Sequence, residues 1–246
     1  RSSAFIRELR RLLSLRGNRK VRIHLMIPKP PGIVEMAADP RKRERFARET
    51  VQFLKRYSLN GIDIDWEYPE NAQEWANHTA LLFDLRRAFY QHGFYLTAAG
   101  GSWKPIKGAG LALLDWINIM SYDHGGQHAT FESFVGDINC YKNFGAAAWR
   151  ITIGVPFYTH QTSNRNWDAA QPYSRVLNDQ PDISIDQNTF TIDGKEHYFN
   201  GFSMIRRKAE YVKNQGLGGI MIWSLVHDVH PSHEKSLIRA LSEGLK

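Results

Sequence analysis

Asn60-Gly61-Ile62-Asp63-Ile64-Asp65-Trp66-Glu67-Tyr68-Pro69 is the stretch whose reading decides the fold. Gly61 opens it and Pro69 closes it, so it reads as one short element between two breakers. Within it Ile62, Ile64 and Trp66 alternate with Asp63, Asp65 and Glu67. That period of two belongs to a strand and sends the three carboxylates to one face; a helix would carry Asp65 away from Asp63 and Glu67. Residues two apart on a strand are spaced by about 6.6–7 Å. Three acids in such a row repel one another when ionised, so burial is expected to raise at least one pKa and to leave a proton shared within the row. A solvated acidic face is the plainer alternative. Proton-transfer chemistry gives adjacent carboxylates a use that a structural strand does not.

Outward from this strand, elements alternate. Residues 4–16 are expected to be a helix with Phe5, Leu9, Leu12 and Leu13 on one face, ended by Gly17-Asn18. Strands are expected at 21–27, 61–67, 94–99, 116–122, 150–156 and 218–225. Pro28, Pro30, Pro31 and Gly32 predict a loop, and Asp39-Pro40 a helix start. Further helices are expected at about 72–92, 131–144, 203–215 and 231–245, with a weak one at 106–114. Residues 157–200 break the rhythm: rich in Asn, Asp, Gln and Thr, they read as a long excursion with short strands at 190–192 and 197–199, of the kind that walls a site.

Strands alternating with helices predict a parallel sheet. At 246 residues the best match is a single α/β domain, a (β/α)8 barrel, with a doubly wound open sheet as the alternative. In a barrel the acids fall at the C-terminal end of a strand, where barrel chemistry sits, as do Tyr122, Asp123 and Trp223. Only six barrel strands are visible, and the first element is a helix. Two strands are therefore expected upstream of this sequence, because an open barrel leaves strand edges unpaired.

Composition sets bounds. Apolar residues make up 42% and charged residues 23%, the balance of an ordinary globular domain. No apolar run reaches the roughly 18 residues of a membrane span, so no membrane association is expected. No signal peptide is visible, though a leader removed by processing is compatible with the sequence. Cys140 is the only cysteine, which excludes an internal disulfide; it reads as a small buried apolar residue. The net charge of +7 comes largely from runs such as Arg7-Glu8-Leu9-Arg10-Arg11 and Arg41-Lys42-Arg43-Glu44-Arg45. These read as solvated helix faces, and no nucleic-acid motif accompanies them, so no nucleic-acid partner is expected. His227, His230 and His233 suggest a metal at first sight. Their stretch is broken by Pro231 and lacks zinc-motif spacing, so no metal is expected and the histidines read as solvated at a helix entry.

The acidic strand resembles the active-site signature of the family 18 glycoside hydrolases, the chitinase family, written D-G-x-D-x-D-x-E. Three further stretches match in order. Met120-Ser121-Tyr122-Asp123 resembles the family's M-x-Y-D after strand six, Gly154-Val155-Pro156-Phe157-Tyr158 its G-V-P-F-Y on strand seven, and Gly218-Gly219-Ile220-Met221-Ile222-Trp223 its G-G-x-M-x-W on strand eight. The resemblance runs from about residue 5 to 245 and implies that strands one and two are the missing pair. Two departures stand out. Asn60 replaces the signature's first Asp, where it can still make the turn's local hydrogen bonds. His24 to Lys29 stands where the family shows S-x-G-G.

The resemblance implies retaining hydrolysis of β-1,4 bonds next to N-acetylglucosamine, with the substrate's own acetamide as nucleophile. It implies Glu67 as general acid and then base, Asp65 as the group orienting the acetamide nitrogen, and Asp63 sharing a proton with Asp65. Tyr122 would bond the acetamide oxygen and Trp223 floor the sugar pocket, while Asp123, Tyr158 and Met120 line the cleft. Trp103 and Trp167 are candidate outer platforms. The expected enzyme is a chitinase, a cofactor-free monomer that is secreted or extracytoplasmic and acts on chitin or N-acetylglucosamine oligosaccharides. A non-catalytic, lectin-like chitin binder and an endo-β-N-acetylglucosaminidase acting on other glycans are the alternatives. Tyr122 and Trp223 as plain core aromatics, and the loop tryptophans as loop pins, are the structural alternatives.

Overall fold

The computed structural model describes residues 3–163 and 169–246. The chain forms two compact units: residues 3–98 with 113–115, and residues 99–112 with 116–246. The strand that follows the second long helix begins in the first unit and ends in the second.

In the first unit, helix α1 (Ser3–Arg16) precedes strand β1 (His24–Pro28), helices α2 (Ile33–Ala38) and α3 (Pro40–Arg56), strand β2 (Gly61–Asp65), helix α4 (Ala72–Phe89) and strand β3 (Tyr95–Gly100). β1 pairs with β2 and β2 with β3, both in parallel. A Cβ at Gly61 would collide with the carbonyl oxygen of Tyr95, so only glycine lets β2 approach β3 this closely. Ile62 and Ile64 are fully buried, as are Leu54 of α3 and Leu81, Leu82, Leu85 and Phe89 of α4. Asp39 caps α3, accepting from the N–H of Arg41 at 2.8 Å. Asn71 caps α4, accepting from the N–H of Glu74 at 2.9 Å. Arg43 and Asp84 tie α3 to α4 at 2.8 Å in a mostly buried pair.

The first unit departs from expectation in three places. β1 starts at His24 rather than Val21, because the Val21 N–H turns back to the Arg19 carbonyl. Between the expected loop at residues 28–32 and the helix start at Asp39 lies an unexpected short helix, α2, entered from Gly32 in the left-handed region and anchored by buried Ile33 and Ala37. On α1 only Leu9 is buried, while Phe5 and Leu12 are exposed.

The second unit holds helix α5 (Gly108–Ala112), strand β4 (Trp116–Ile119), helix α6 (Phe131–Asn143) and strand β5 (Ile151–Pro156). Strands β6 (Tyr158–Gln161) and β7 (Gln171–Pro172), helix α7 (Tyr173–Asp179) and strands β8 (Thr189–Ile192) and β9 (Lys195–Tyr198) follow. Helix α8 (Phe202–Asn214), strand β10 (Gly219–Trp223) and helix α9 (Leu237–Gly244) complete it. β5 lies between β4 and β10, all parallel. The excursion forms an antiparallel sheet in the order β7-β6-β9-β8, so its two expected strands pair with each other and extend across β6. Cys140 lies on α6 as a free, partly buried thiol.

Two boundaries moved here. β4 stops at Ile119, where the Ser121 N–H turns back to the Ile119 carbonyl and carries Tyr122 and Asp123 past the strand end. α9 starts at Leu237 rather than Pro231, because Asp228 gathers Ser236 Oγ and the N–H groups of Leu237 and Ile238 at 2.9–3.1 Å and holds the intervening chain in a loop. Among the described residues, no helix is long and apolar enough to cross a membrane.

Candidate active site

The acidic strand keeps its predicted alternation beyond its formal end. Ile62, Ile64 and Trp66 are buried, while Asp63 and Asp65 are half-buried and Glu67 is exposed. β2 itself ends at Asp65, so Glu67 projects from the segment that leaves the sheet. In register, Asp63 faces Met26 on one side and Thr97 on the other. The Thr97 hydroxyl donates to Asp63 Oδ1 at 2.5 Å. Asp65 faces Pro28, which has no N–H to offer it.

The pKa of Asp65 is raised to about 7. Burial is the main cause, the charges of Glu67 and Asp63 add to it, and a hydrogen bond with Glu67 completes it. Its buried Oδ1 has no hydrogen-bond partner among the described residues. Asp63 stands beside Asp65, adds to its raised pKa and accepts from Thr97.

Behind the strand, Trp66 packs edge-on against His78 of α4 at 5.6 Å, and Trp75 does the same at 5.7 Å. His78 is 1% exposed. Burial holds its pKa down at about 4, so the ring is neutral.

Asn60 makes cross-strand bonds rather than the local turn bonds expected of it. Its Oδ1 accepts from the Ile23 N–H at 2.9 Å, and its own N–H donates to the Ile23 carbonyl at 2.9 Å. The acceptor in that bond is a carbonyl oxygen, which an amide supplies as a carboxylate would. In the departing segment at 24–29, His24 stacks on Tyr95 at 5.7 Å and Lys29 reaches Glu70 at 3.4 Å.

In the second unit the three strand-end motifs converge. Tyr158 donates its hydroxyl to Asp123 Oδ1 at 2.6 Å. Asp123 has φ 65°, the left-handed backbone that Asp and Asn tolerate better than most side chains. Buried Tyr122 meets Tyr158 edge-on at 6.1 Å and donates to Met221 Sδ at 3.5 Å. Met120 is buried, with its N–H bonded to the Gly100 carbonyl at 3.0 Å. Trp223, at the end of β10, is 42% exposed and lines a pocket of about 250 Å³ with Tyr158, Gln171, Pro172 and His227. Trp103 is 46% exposed. Trp167 lies outside the described residues.

Sequence reasoning missed two residues of this cluster and misread a third. His128 Nδ1 and His160 Nε2 each lie 3.6 Å from Asp123 Oδ1, with their rings 5.1 Å apart. Both are buried. Burial lowers the pKa of His128 against the pull of Asp123, helped by His160 and Lys208. Neither stands in a motif, and only the chain's folding unites them. His227, expected to be solvated, lines the Trp223 pocket with its buried Nδ1 unpartnered among the described residues. His230 and His233 are exposed, as expected. No group of three or more His, Cys, Asp or Glu side chains among the described residues is placed to hold a metal ion.

Residues 3–228, which contain these strand-end motifs and acids, match the family model described as glycosyl hydrolases family 18. The chain belongs to that family. It is 27% identical over 251 residues to probable chitinase 10 of Drosophila melanogaster, a match covering 77% of this chain and 11% of that protein. It spans less than two thirds of the length of the first curated relatives it matches. A chitinase from Bacteroides thetaiotaomicron superposes with a TM-score of 0.79 at 27% identity, over 96% of this chain and 81% of that one. A family 18 chitinase from the chitin utilization locus of Flavobacterium johnsoniae gives 0.81 at 25% identity, over 96% and 79%. The fold class is accordingly the α/β barrel expected from the sequence.

Proposed function

We propose that this chain is a chitinase that hydrolyses β-1,4 bonds of N-acetylglucosamine polymers with retention, without a cofactor. The observation that carries the reading is the acidic row, in which Asp65 is held protonated up to about pH 7 beside an exposed Glu67. In the proposed course Glu67 gives its proton to the glycosidic oxygen as the C–O bond breaks. The substrate's acetamide oxygen takes the anomeric carbon from the opposite side. Water then opens the cyclic intermediate and returns a proton to Glu67. Asp65 orients the acetamide N–H and balances the charge on the ring it forms. Asp63, fixed by Thr97, keeps Asp65 from ionising early.

In this reading the residues of the other strand-end motifs supply sugar contacts. Tyr122 bonds the acetamide oxygen, Trp223 stacks on the sugar's apolar face, and Asp123, Tyr158 and Met120 shape the surface around it. The Drosophila and Bacteroides proteins, named as chitinases, support this substrate class. A polymer too large to enter cells calls for a secreted or extracytoplasmic enzyme, and nothing in the proposed chemistry needs a second subunit.

The test is hydrolysis and binding of chitin oligosaccharides by the chain and by its Glu67→Gln variant. The substitution removes the proton and keeps the shape, so turnover should fall by at least about 100-fold while binding persists. Near-normal turnover by the variant would refute the role of Glu67. Binding without turnover by the unaltered chain would replace the enzyme reading with the lectin-like one.

A further inference from the structure

We propose that Trp103 is a stacking platform for an outer pyranose ring of the glycan, held in position by the His124–Asp137 pair. The inference rests on the reading that the Trp223 pocket takes N-acetylglucosamine polymers. Trp103 follows Gly100-Gly101-Ser102 at the end of β3, and nearly half of its surface is exposed. Its indole lies directly on the backbone of Gly101, where an added Cβ would come within 2.5 Å of the ring. Any larger residue at 101 would push the ring away.

The edge of the indole meets the ring of His124 at 5.5 Å and 85°. His124 Nε2 lies 3.0 Å from Asp137 Oδ2. Asp137 is 3% exposed, and its other oxygen accepts from Ser102 Oγ at 2.5 Å. One buried carboxylate on α6 thus fixes both the residue preceding the indole and the ring beneath its edge. A tryptophan that only pinned its loop would need neither this exposure nor a histidine oriented from behind.

Chain connectivity places the residue under the platform next to one that contacts the candidate sugar pocket. His124 follows Asp123, Asp123 receives the Tyr158 hydroxyl, and Tyr158 lines the pocket with Trp223. Trp103 and Trp223 are thus two exposed indoles of the same unit. An indole face covers the C–H face of a pyranose and removes apolar surface from water without reading its hydroxyls. The ligand class is a β-1,4 glycan longer than the pocket alone can hold.

The experiment uses the full chain carrying Glu67→Gln, so that no sugar is consumed. Affinities for the disaccharide and the hexasaccharide of N-acetylglucosamine are measured by calorimetry, with thermal unfolding alongside. Trp103→Ala should lower the ratio of hexasaccharide to disaccharide affinity about tenfold. Trp103→Tyr should restore part of that ratio. His124→Ala leaves the indole in place but takes a partner from buried Asp137, so it should lower the ratio several-fold while disaccharide affinity holds, with a modest drop in unfolding temperature. It also decides the matter if Trp103→Ala does not fold. An unchanged ratio in the variants overturns the platform and leaves the chitinase reading standing. Failure of the parent to bind either sugar overturns that reading and the platform with it.

Discussion

Tyr158 donates its hydroxyl to Asp123 across 2.6 Å, and Asp123 receives it from a left-handed backbone at φ 65°. A residue in that region costs about 1–2 kcal/mol unless it is Gly, Asn or Asp. Asp123 therefore serves both backbone and hydrogen bond, and its substitutions separate the two. Asp123→Asn keeps the tolerated backbone and an acceptor oxygen. Asp123→Ala loses both. In chemical denaturation Asp123→Ala should be destabilised by about 2–4 kcal/mol and Asp123→Asn by clearly less. Equal losses would mean that neither the backbone preference nor the acceptor oxygen contributes.

Asp65 makes the acid limb unusual. Its folded pKa of about 7 lies well above the ordinary carboxylate value of 3.8. Between those values the folded state holds the proton and the unfolded state has lost it, so this group's stabilising effect is full below about pH 4 and is lost as pH rises to 7. Asp65→Asn removes the titration. The variant should therefore gain stability over the parent as pH rises from 4 to 7, and hold that gain above 7. A difference in unfolding free energy that stays flat with pH would remove the raised Asp65 from the account. Hydrolysis by the parent should fall as pH rises through about 7, where Asp65 loses its proton.

How much of this was legible in the sequence depends on whether the deciding contact is local. The alternation at 62–67 needed only the chain itself, and the burial of Ile62, Ile64 and Trp66 follows it residue by residue. The β/α alternation and the strand-end motifs carried the fold class in the same way. Helix α2 was hidden because Pro30, Pro31 and Gly32 signal a loop, while the burial of Ile33 and Ala37 comes from packing that no local signal reports. Asn60 was read through its own turn, yet its partner is Ile23 on the neighbouring segment. His128 and His160 are 32 positions apart in sequence and face one carboxylate only after folding. His227 was grouped with its neighbours in sequence, although its own neighbours in space are Tyr158 and Trp223.

His78 acts against Asp65 over nearly the same range. Its folded pKa of about 4 lies below the ordinary 6.5, so between those values the unfolded state binds the extra proton. Its contribution is full above about pH 6.5 and is lost as pH falls to 4. Its buried Nδ1 has no partner among the described residues, which makes an apolar replacement of similar size cheap at neutral pH. His78→Leu should therefore be near-neutral at pH 7 and more stable than the parent at pH 4.5. Unfolding free energies at the two pH values decide this, and a variant equally destabilised at both would show that the ring's packing outweighs its titration.

Lys208 supplies the corresponding test on the basic side. It is fully buried on α8, donates to the Ala129 carbonyl at 2.8 Å and to Asn200 Oδ1 at 2.7 Å, and lies 5.0 Å from the Phe134 ring centroid. Burial lowers its pKa from 10.5 to about 7. Below pH 7 both states are charged, and the folded state bears the full cost of a buried ammonium. Between 7 and 10.5 the folded state is neutral while the unfolded state keeps its proton, so stability contributed by this group rises with pH. Lys208→Met keeps the length and removes the charge, leaving Asn200 Oδ1 without its donor. At pH 9 the variant should be less stable than the parent by about 1–3 kcal/mol, the cost of an unsatisfied buried acceptor. At pH 6 the deficit should shrink or reverse, because the parent there carries the charge that the variant lacks. Denaturation curves at the two pH values give both numbers, and an identical deficit at each would show that Lys208 does not change its protonation on folding.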